Sequence, residues 1–289
     1  MSQILANGIH LEYQTHGNPD NPSMVLIRGL GTQMVDWHPD LIEQLTQLGL
    51  HLVLFDNRDV GLSEKFDAAG VPAFSDVLAG KVTAPYTVSD MAADVIGLMD
   101  ALDITAAHIL GISLGGMIAQ VIAASYPDRI LTLLSVMSTS RKPGLPGPTE
   151  AAVAAFNAPA AKTLEDAIAQ SAESKVVFGS PGYPETLEQR VADATRSYQR
   201  SYYPPGVARQ RLAVASQPDR SALLITIQAP TTVIHGEDDS LIPIACGEDT
   251  AAQIPNARFI PVPGMGHNIP GLLVPKFIEL MRQHLATAP

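Results

Sequence analysis

The sequence predicts an α/β domain: a mostly parallel, eight-stranded sheet with helices on both faces and a helical segment inserted late in the chain. Three observations carry this. Short apolar strands alternate with helical stretches from residue 24 to 137, the order that builds a parallel sheet by right-handed crossovers. The run Met24-Val25-Leu26-Ile27 is continuously apolar, as a strand covered on both faces must be. The alternation then stops and resumes only at Thr231, and so long an interruption would not stay structureless inside a compact domain.

In chain order, residues 4–5 and 9–13 read as two short strands turning at Asn7-Gly8, the strongest short hairpin signal. After the loop 17–22 and strand 24–27 come Arg28-Gly29-Leu30-Gly31, glycines that let backbone N–H groups face a ligand. A helix is expected over 37–48, capped by Gly49, then a strand at 51–55 and an irregular excursion over 64–86. Thr87 and Asp90 form a capping box, and Met91, Val95, Met99 and Leu102 recur at helical spacing. Residues 108–120 read as a short apolar strand, an abrupt turn and an apolar helix, with Gly111-x-Ser113-x-Gly115 at the turn. A serine there is held at the carboxyl end of the sheet, above a helix N-terminus whose positive dipole end favours a developing negative charge. A strand at 130–137 follows.

The inserted segment opens on the proline-rich loop 142–148 and continues in helical stretches near 149–157, 163–177 and 185–203. The expected division is a core of 1–138 and 222–289 with a helical cap of 139–221. The core resumes with strand 231–235, a helix from Pro243, strand 258–262 and a last helix over 272–285.

Serine is a weak nucleophile without a base, and the base needs an orienting acid. In an open α/β sheet these groups belong on loops at the carboxyl ends of strands. His267 follows strand 258–262 on a glycine-rich approach, Gly264-Met265-Gly266, with His108 and His235 as its rivals. Asp238 and Asp239 both follow strand 231–235. Asp239, which opens Asp-x-x-x-Pro ahead of a helix, is the better acid, leaving Asp238 to cap the turn.

The 289 residues carry 18 Lys plus Arg against 29 Asp plus Glu, a net charge of -11 that repels nucleic acid and anionic membranes. The single cysteine, Cys246, permits no internal disulfide and fits a reducing compartment. Residues 1–7 lack the basic-then-apolar pattern of a signal peptide, and no apolar run reaches bilayer length, so a cytoplasmic location is expected. No histidine pair at zinc spacing, P-loop or Gly-x-Gly-x-x-Gly occurs, so no metal or organic cofactor is expected. Nothing in the sequence points to an oligomeric state.

Taken together, Gly111-x-Ser113-x-Gly115-Gly116, Gly236-Glu237-Asp238-Asp239 with Pro243, and Gly264-Met265-Gly266-His267 resemble the α/β-hydrolase superfamily. Asp56-Asn57-Arg58-Asp59-Val60-Gly61-Leu62-Ser63 is similar to a family loop that usually has Gly where Asp59 stands, and Arg28 replaces a usual His. The Asp-Asn-Arg-Asp form resembles a branch of capped esterases that includes polyketide methylesterases. The resemblance implies the α/β-hydrolase fold and a Ser-His-Asp esterase acting on a small-molecule ester. Ser113 would attack the acyl carbonyl, His267 would carry the proton, Asp239 would hold the imidazole, and the N–H groups of Leu30 and Leu114 would bind the oxyanion. A serine nucleophile argues against dehalogenase and epoxide-hydrolase chemistry. The same triad would also serve a C–C bond hydrolase, a lactonase or a cofactor-free perhydrolase, and a hydrolase-fold binding protein with little turnover is the non-enzymatic alternative.

Gly29, Gly31, Met34, Trp37, Tyr198 and Tyr202 are expected to line the substrate pocket. Arg190, Arg196, Arg200, Arg209, Arg211 and Arg220 make the stretch 190–220 locally basic. That stretch is either a solvated helix face or a subsite for an anionic substrate.

Overall fold

The computed structural model describes residues 2–288. Strands β1 (Ser2–Ala6) and β2 (Ile9–His16) form the expected hairpin. Asn7 and Gly8 both take positive φ, 49° and 78°, as a two-residue turn matched to strand twist requires. Next come β3 (Ser23–Ile27), β4 (His51–Phe55), β5 (Ala107–Ile112), β6 (Ile130–Val136), β7 (Thr231–Gly236) and β8 (Arg258–Val262). They form one eight-stranded sheet in the order β1-β2-β4-β3-β5-β6-β7-β8. Only the β1–β2 and β2–β4 pairings are antiparallel.

Helix α1 (Pro39–Gln47) and α11 (Val274–Leu285) cover one face. There Leu41, Leu45, Phe277 and Met281 pack on Met24, Leu26 and Leu54. Helices α3 (Val88–Ala101) and α4 (Leu114–Ser125) cover the other, with Met91, Val95, Ile118 and Ile122 on Val25, Ile27 and Val53. Successive residues of β3 thus enter opposite cores, which is why the strand has no polar face. Helix α10 (Ile244–Gln253) packs between β7 and β8.

Three boundaries differ from expectation. The helix expected from residue 37 begins at Pro39, because a residue preceding proline avoids helical dihedrals; His38 caps it by accepting from the Asp40 N–H. The excursion 64–86 contains a short helix, α2 (Phe74–Leu78). Between β6 and β7 run α5 (Glu150–Phe156), α6 (Leu164–Phe178), α7 (Leu187–Arg200), α8 (Pro204–Ala215) and α9 (Ser221–Leu224). The expected stretch 185–203 stops at Arg200, and Pro204-Pro205 starts α8 rather than ending structure, since proline suits a first helical turn.

Buried charge ties this inserted segment to the loops of the sheet. Arg209, 1% exposed, makes a bidentate pair with Asp59, Nε at 2.7 Å and Nη2 at 2.8 Å. Arg200 donates to Asp56 at 2.6 Å and to Gln33 at 2.7 Å. The basic stretch 190–220 is therefore in large part neither solvated nor free. It also explains Asp59 where glycine is usual: its φ is 68°, a conformation that normally favours glycine, and the carboxylate offsets that cost by pairing with Arg209 and accepting from Tyr86 at 2.8 Å.

Candidate active site

Ser113 sits between β5 and α4 at φ 55°, ψ −119°, with its N–H donating to the Val136 carbonyl at 3.0 Å. The neighbouring glycines are sterically required. A Cβ on Gly111 would lie 2.1 Å from the Gly115 carbonyl oxygen, and one on Gly115 would lie 2.1 Å from that of Ile27. Strand and helix thus meet backbone to backbone, and the serine side chain is the group left projecting.

Asp239 follows β7 and is 6% exposed. Its Oδ1 accepts the Leu241 and Ile242 N–H groups, each at 2.9 Å, which fixes the carboxylate plane. Its Oδ2 lies 2.7 Å from His267 Nδ1, and His267 Nε2 lies 2.9 Å from Ser113 Oγ. A carboxylate only accepts, so Nδ1 carries the proton and Nε2 faces the serine with its lone pair. Burial opposes charge on Asp239, but His267, His235 and the Ile242 amide outweigh it and hold the carboxyl below the usual carboxylate range. Asp238 caps the neighbouring turn, accepting from the Gly264 N–H at 3.0 Å.

The two rival histidines serve the structure instead. His235 is fully buried, donates Nε2–H to the Ile242 carbonyl at 2.7 Å and lies 3.5 Å from Asp239. His108 pairs with Thr132 at the far end of the sheet.

The turn after β3 stands over the serine: a Cβ on Gly29 would lie 3.3 Å from Ser113 Cβ. Leu114 opens α4, where no earlier turn accepts its N–H, and among the described residues the Leu30 N–H also has no acceptor. Both residues border, with Ser113, a cavity of about 600 Å³. Such an arrangement at the edge of a cavity can activate a hydroxyl, deliver its proton to a leaving group and receive an oxyanion.

The remaining walls differ from expectation. The cavity is bounded by Met117, Phe156, Val214, Leu241, Ile242 and other residues, whereas Gly31, Met34, Trp37, Tyr198 and Tyr202 lie outside it. The Met34 N–H is tied to Asp56 at 2.8 Å, which turns Met34 and Trp37 into the core on the α1 side, Trp37 beneath Arg28 at 4.7 Å. The rings of Tyr198 and Tyr202 meet at a tilt with centroids 5.2 Å apart, and the Tyr202 hydroxyl donates to the Ala161 carbonyl. Gly31 packs under Val207 of α8, and Gly29 backs the serine rather than the cavity.

Sequence reasoning missed the groups that clamp the site from the inserted segment. The His267 N–H donates to the Phe178 carbonyl at 2.7 Å, and the Gly266 N–H to Ser180 Oγ at 2.9 Å. Gln210 accepts from the Gly31 N–H at 2.8 Å and donates to the Arg58 carbonyl at 2.9 Å, fixing the turn that carries Leu30. The one signal was Gly266, whose missing Cβ admits the Gly179 carbonyl.

The family profile described as alpha/beta hydrolase fold matches residues 22–271. The chain belongs to that family. It is 30% identical over 266 residues to RutD of Variovorax paradoxus (strain S110), which carries a provisional carbamate-hydrolase name, the match covering 90% of each chain. It is 25% identical over 276 residues to the rhodomycin D methylesterase DauP of Streptomyces sp. (strain C5), covering 88% of this chain and 87% of the other. Among solved structures, the meta-cleavage product hydrolase CumD of Pseudomonas fluorescens IP01 superposes with a TM-score of 0.78 over 99% of this chain and 97% of its own; at 19% identity it shares the fold. Hydrolase chemistry is thus common to the family and to the relatives. Among the described residues, no helix is long and apolar enough to cross a membrane.

Proposed function

We propose that this hydrolase cleaves carboxylic esters of small molecules through an acyl-enzyme formed on Ser113. The reading rests on one observation: His267 bridges Ser113 Oγ at 2.9 Å and Asp239 Oδ2 at 2.7 Å. His267 takes the serine proton as Oγ attacks the carbonyl and returns it to the departing alkoxide. Asp239 keeps the imidazole in the tautomer that can accept. The N–H groups of Leu30 and Leu114 hold the oxyanion, each donor contributing about 3 to 4 kcal/mol. Residues 139–221 act as a cap whose α5 and α8 shape the cavity roof. Similarity to the methylesterase DauP supports an ester substrate, and similarity to RutD makes carbamates the second acyl class to test.

An organophosphonate should label Ser113 stoichiometrically, and Ser113→Ala should lose at least about 10⁴-fold in kcat on a nitrophenyl ester while unfolding at the parent temperature. Equal turnover by parent and Ser113→Ala would refute the proposal. A length series of nitrophenyl esters beside matched carbamates ranks the two acyl classes.

A further inference from the structure

One wall of the cavity is charged in a way that ester cleavage does not use. Arg220 is 4% exposed, yet among the described residues its guanidinium hydrogen-bonds only to neutral acceptors: Gln120 Oε1 at 3.2 Å, Gln217 Oε1 and the Thr139 carbonyl. Gln217 and Thr139 themselves border the cavity, so this buried cation lies directly behind its wall. A buried charge is costly unless an anion answers it. In front of it Arg141 borders the cavity, exposed, with Nη2 on the Ala215 carbonyl at 3.0 Å and no carboxylate partner among the described residues. Its φ of 66° and its N–H bond to Thr139 Oγ1 at 3.1 Å hold it there against ordinary backbone preference. The remaining charges nearby are largely engaged. Lys142 lies 3.3 Å from Asp249, which also accepts from Ser140, and the Asp219 carboxylate is turned onto the Ser221 N–H and hydroxyl. Three cations thus face two carboxylates in a chain whose net charge is -11. Asp219 and Lys142 also border the cavity, and burial with the neighbouring Arg141 pushes the Arg220 guanidinium down to about 9 against the opposing pull of Asp219.

We infer that this wall is a subsite for a carboxylate carried by the substrate, contacted by Arg141 and favoured by the field of Arg220, so that the preferred esters are those bearing a free acid group away from the scissile bond. The inference rests on the esterase reading of Ser113 and names its substrate class.

The test compares length-matched esters. In one arm, nitrophenyl monoesters of four- to eight-carbon diacids are set against nitrophenyl esters of the corresponding neutral fatty acids, with buffer hydrolysis subtracted. In the other, acetyl esters of ω-hydroxy acids are set against acetyl esters of the matched alkanols. The carboxylate-bearing member should lead in kcat/KM by about tenfold at its best length in one arm, as a charge-assisted hydrogen bond provides. The lead should shrink with added salt. Arg141→Gln should cut the anionic-to-neutral ratio about tenfold. Arg282→Gln, an equal charge change on the exposed face of α11, should leave the ratio where it was. Neutral esters winning at every length in both arms, or a ratio unmoved by Arg141→Gln, would overturn the subsite while leaving the esterase reading intact. An enzyme that turns over no ester and resists phosphonate labelling would bring down both.

Discussion

The two ends of the sheet bury histidines and hydroxyls in nearly the same way and use them differently. At the carboxyl end, His267 lies between a serine hydroxyl and a carboxylate and opens on a cavity. At the amino end, His284 lies between two threonine hydroxyls, Thr132 and Thr232, each at 2.8 Å, and Thr132 also meets His108 at 2.8 Å. Among the described residues no acid joins that second row, and His284 is 1% exposed. Burial and the nearby His108 and Arg258 push the His284 imidazole down to about 3. Without a carboxylate to stabilise an imidazolium, a buried histidine stays neutral and holds elements together; here it fastens α11 across β6 and β7. The carboxyl end instead gathers compensated charge, in Asp239, in Asp59 with Arg209 and in Asp56 with Arg200. A histidine's neighbours, more than its own chemistry, decide whether it can take a proton in turnover.

The sharpest way to break the contrast is to make the row of Ser113, His267 and Asp239 resemble the one at the amino end. Asp239→Asn keeps the shape but lets an amide donate to Nδ1, favouring the wrong tautomer; kcat on a nitrophenyl ester should fall by about 10³ to 10⁴. A loss below tenfold would mean that the acid is not needed. Next in size is the charge compensation. Asp59→Gly suits the backbone at φ 68° but strands Arg209 in the interior, and urea unfolding should report about 3 to 5 kcal/mol less stability. Adding Arg209→Leu should restore most of it, since both charges are then gone; equal stability of Asp59→Gly and parent would show that the pair holds nothing.

The smallest effect belongs to the amino end. An unfolded histidine titrates near 6.5 and folded His284 near 3, so below 6.5 the unfolded state takes up a proton that the folded state refuses. The contribution is complete above about pH 6.5 and is lost as pH falls toward 3, at up to about 1.4 kcal/mol per pH unit. His284→Leu should flatten the stability slope between pH 6 and 5 by about one proton's worth without altering the pH profile of ester cleavage. An unchanged slope would show that His284 is already charged in the fold.

How legible each part was follows from how local its physics is. The elbow was readable because Gly111, Ser113 and Gly115 are adjacent and their steric demand is a backbone property. Asp239 and His267 were readable from the loops they occupy, since parallel strands bring their carboxyl ends to one edge. The pocket walls were not. Met34 and Trp37 closely follow the glycine turn after β3, yet a single bond from the Met34 N–H to Asp56 folds them inward. Tyr198 and Tyr202 turn toward each other, and what draws the Tyr202 hydroxyl away from the cavity is the Ala161 carbonyl, a partner distant in sequence. The arginines of 190–220 looked like one charged face, and three of them separated into unlike roles: Arg200 and Arg209 bind carboxylates on the core, while Arg220 is buried among neutral groups.

The sequence by itself determined the order of the sheet's strands and of the helices that cover it, the strained serine turn and the identity of the three residues that could meet there, because strand periodicity, glycine sterics and connection topology act over short spans of chain. Only the tertiary structure decided which surfaces roof the cavity, which arginines are satisfied and how Phe178, Ser180 and Gln210 hold the site from the inserted segment. Those outcomes depend on where helices far apart in sequence dock, and docking is set by side-chain shape and charge pairing that leave no periodic trace in the chain.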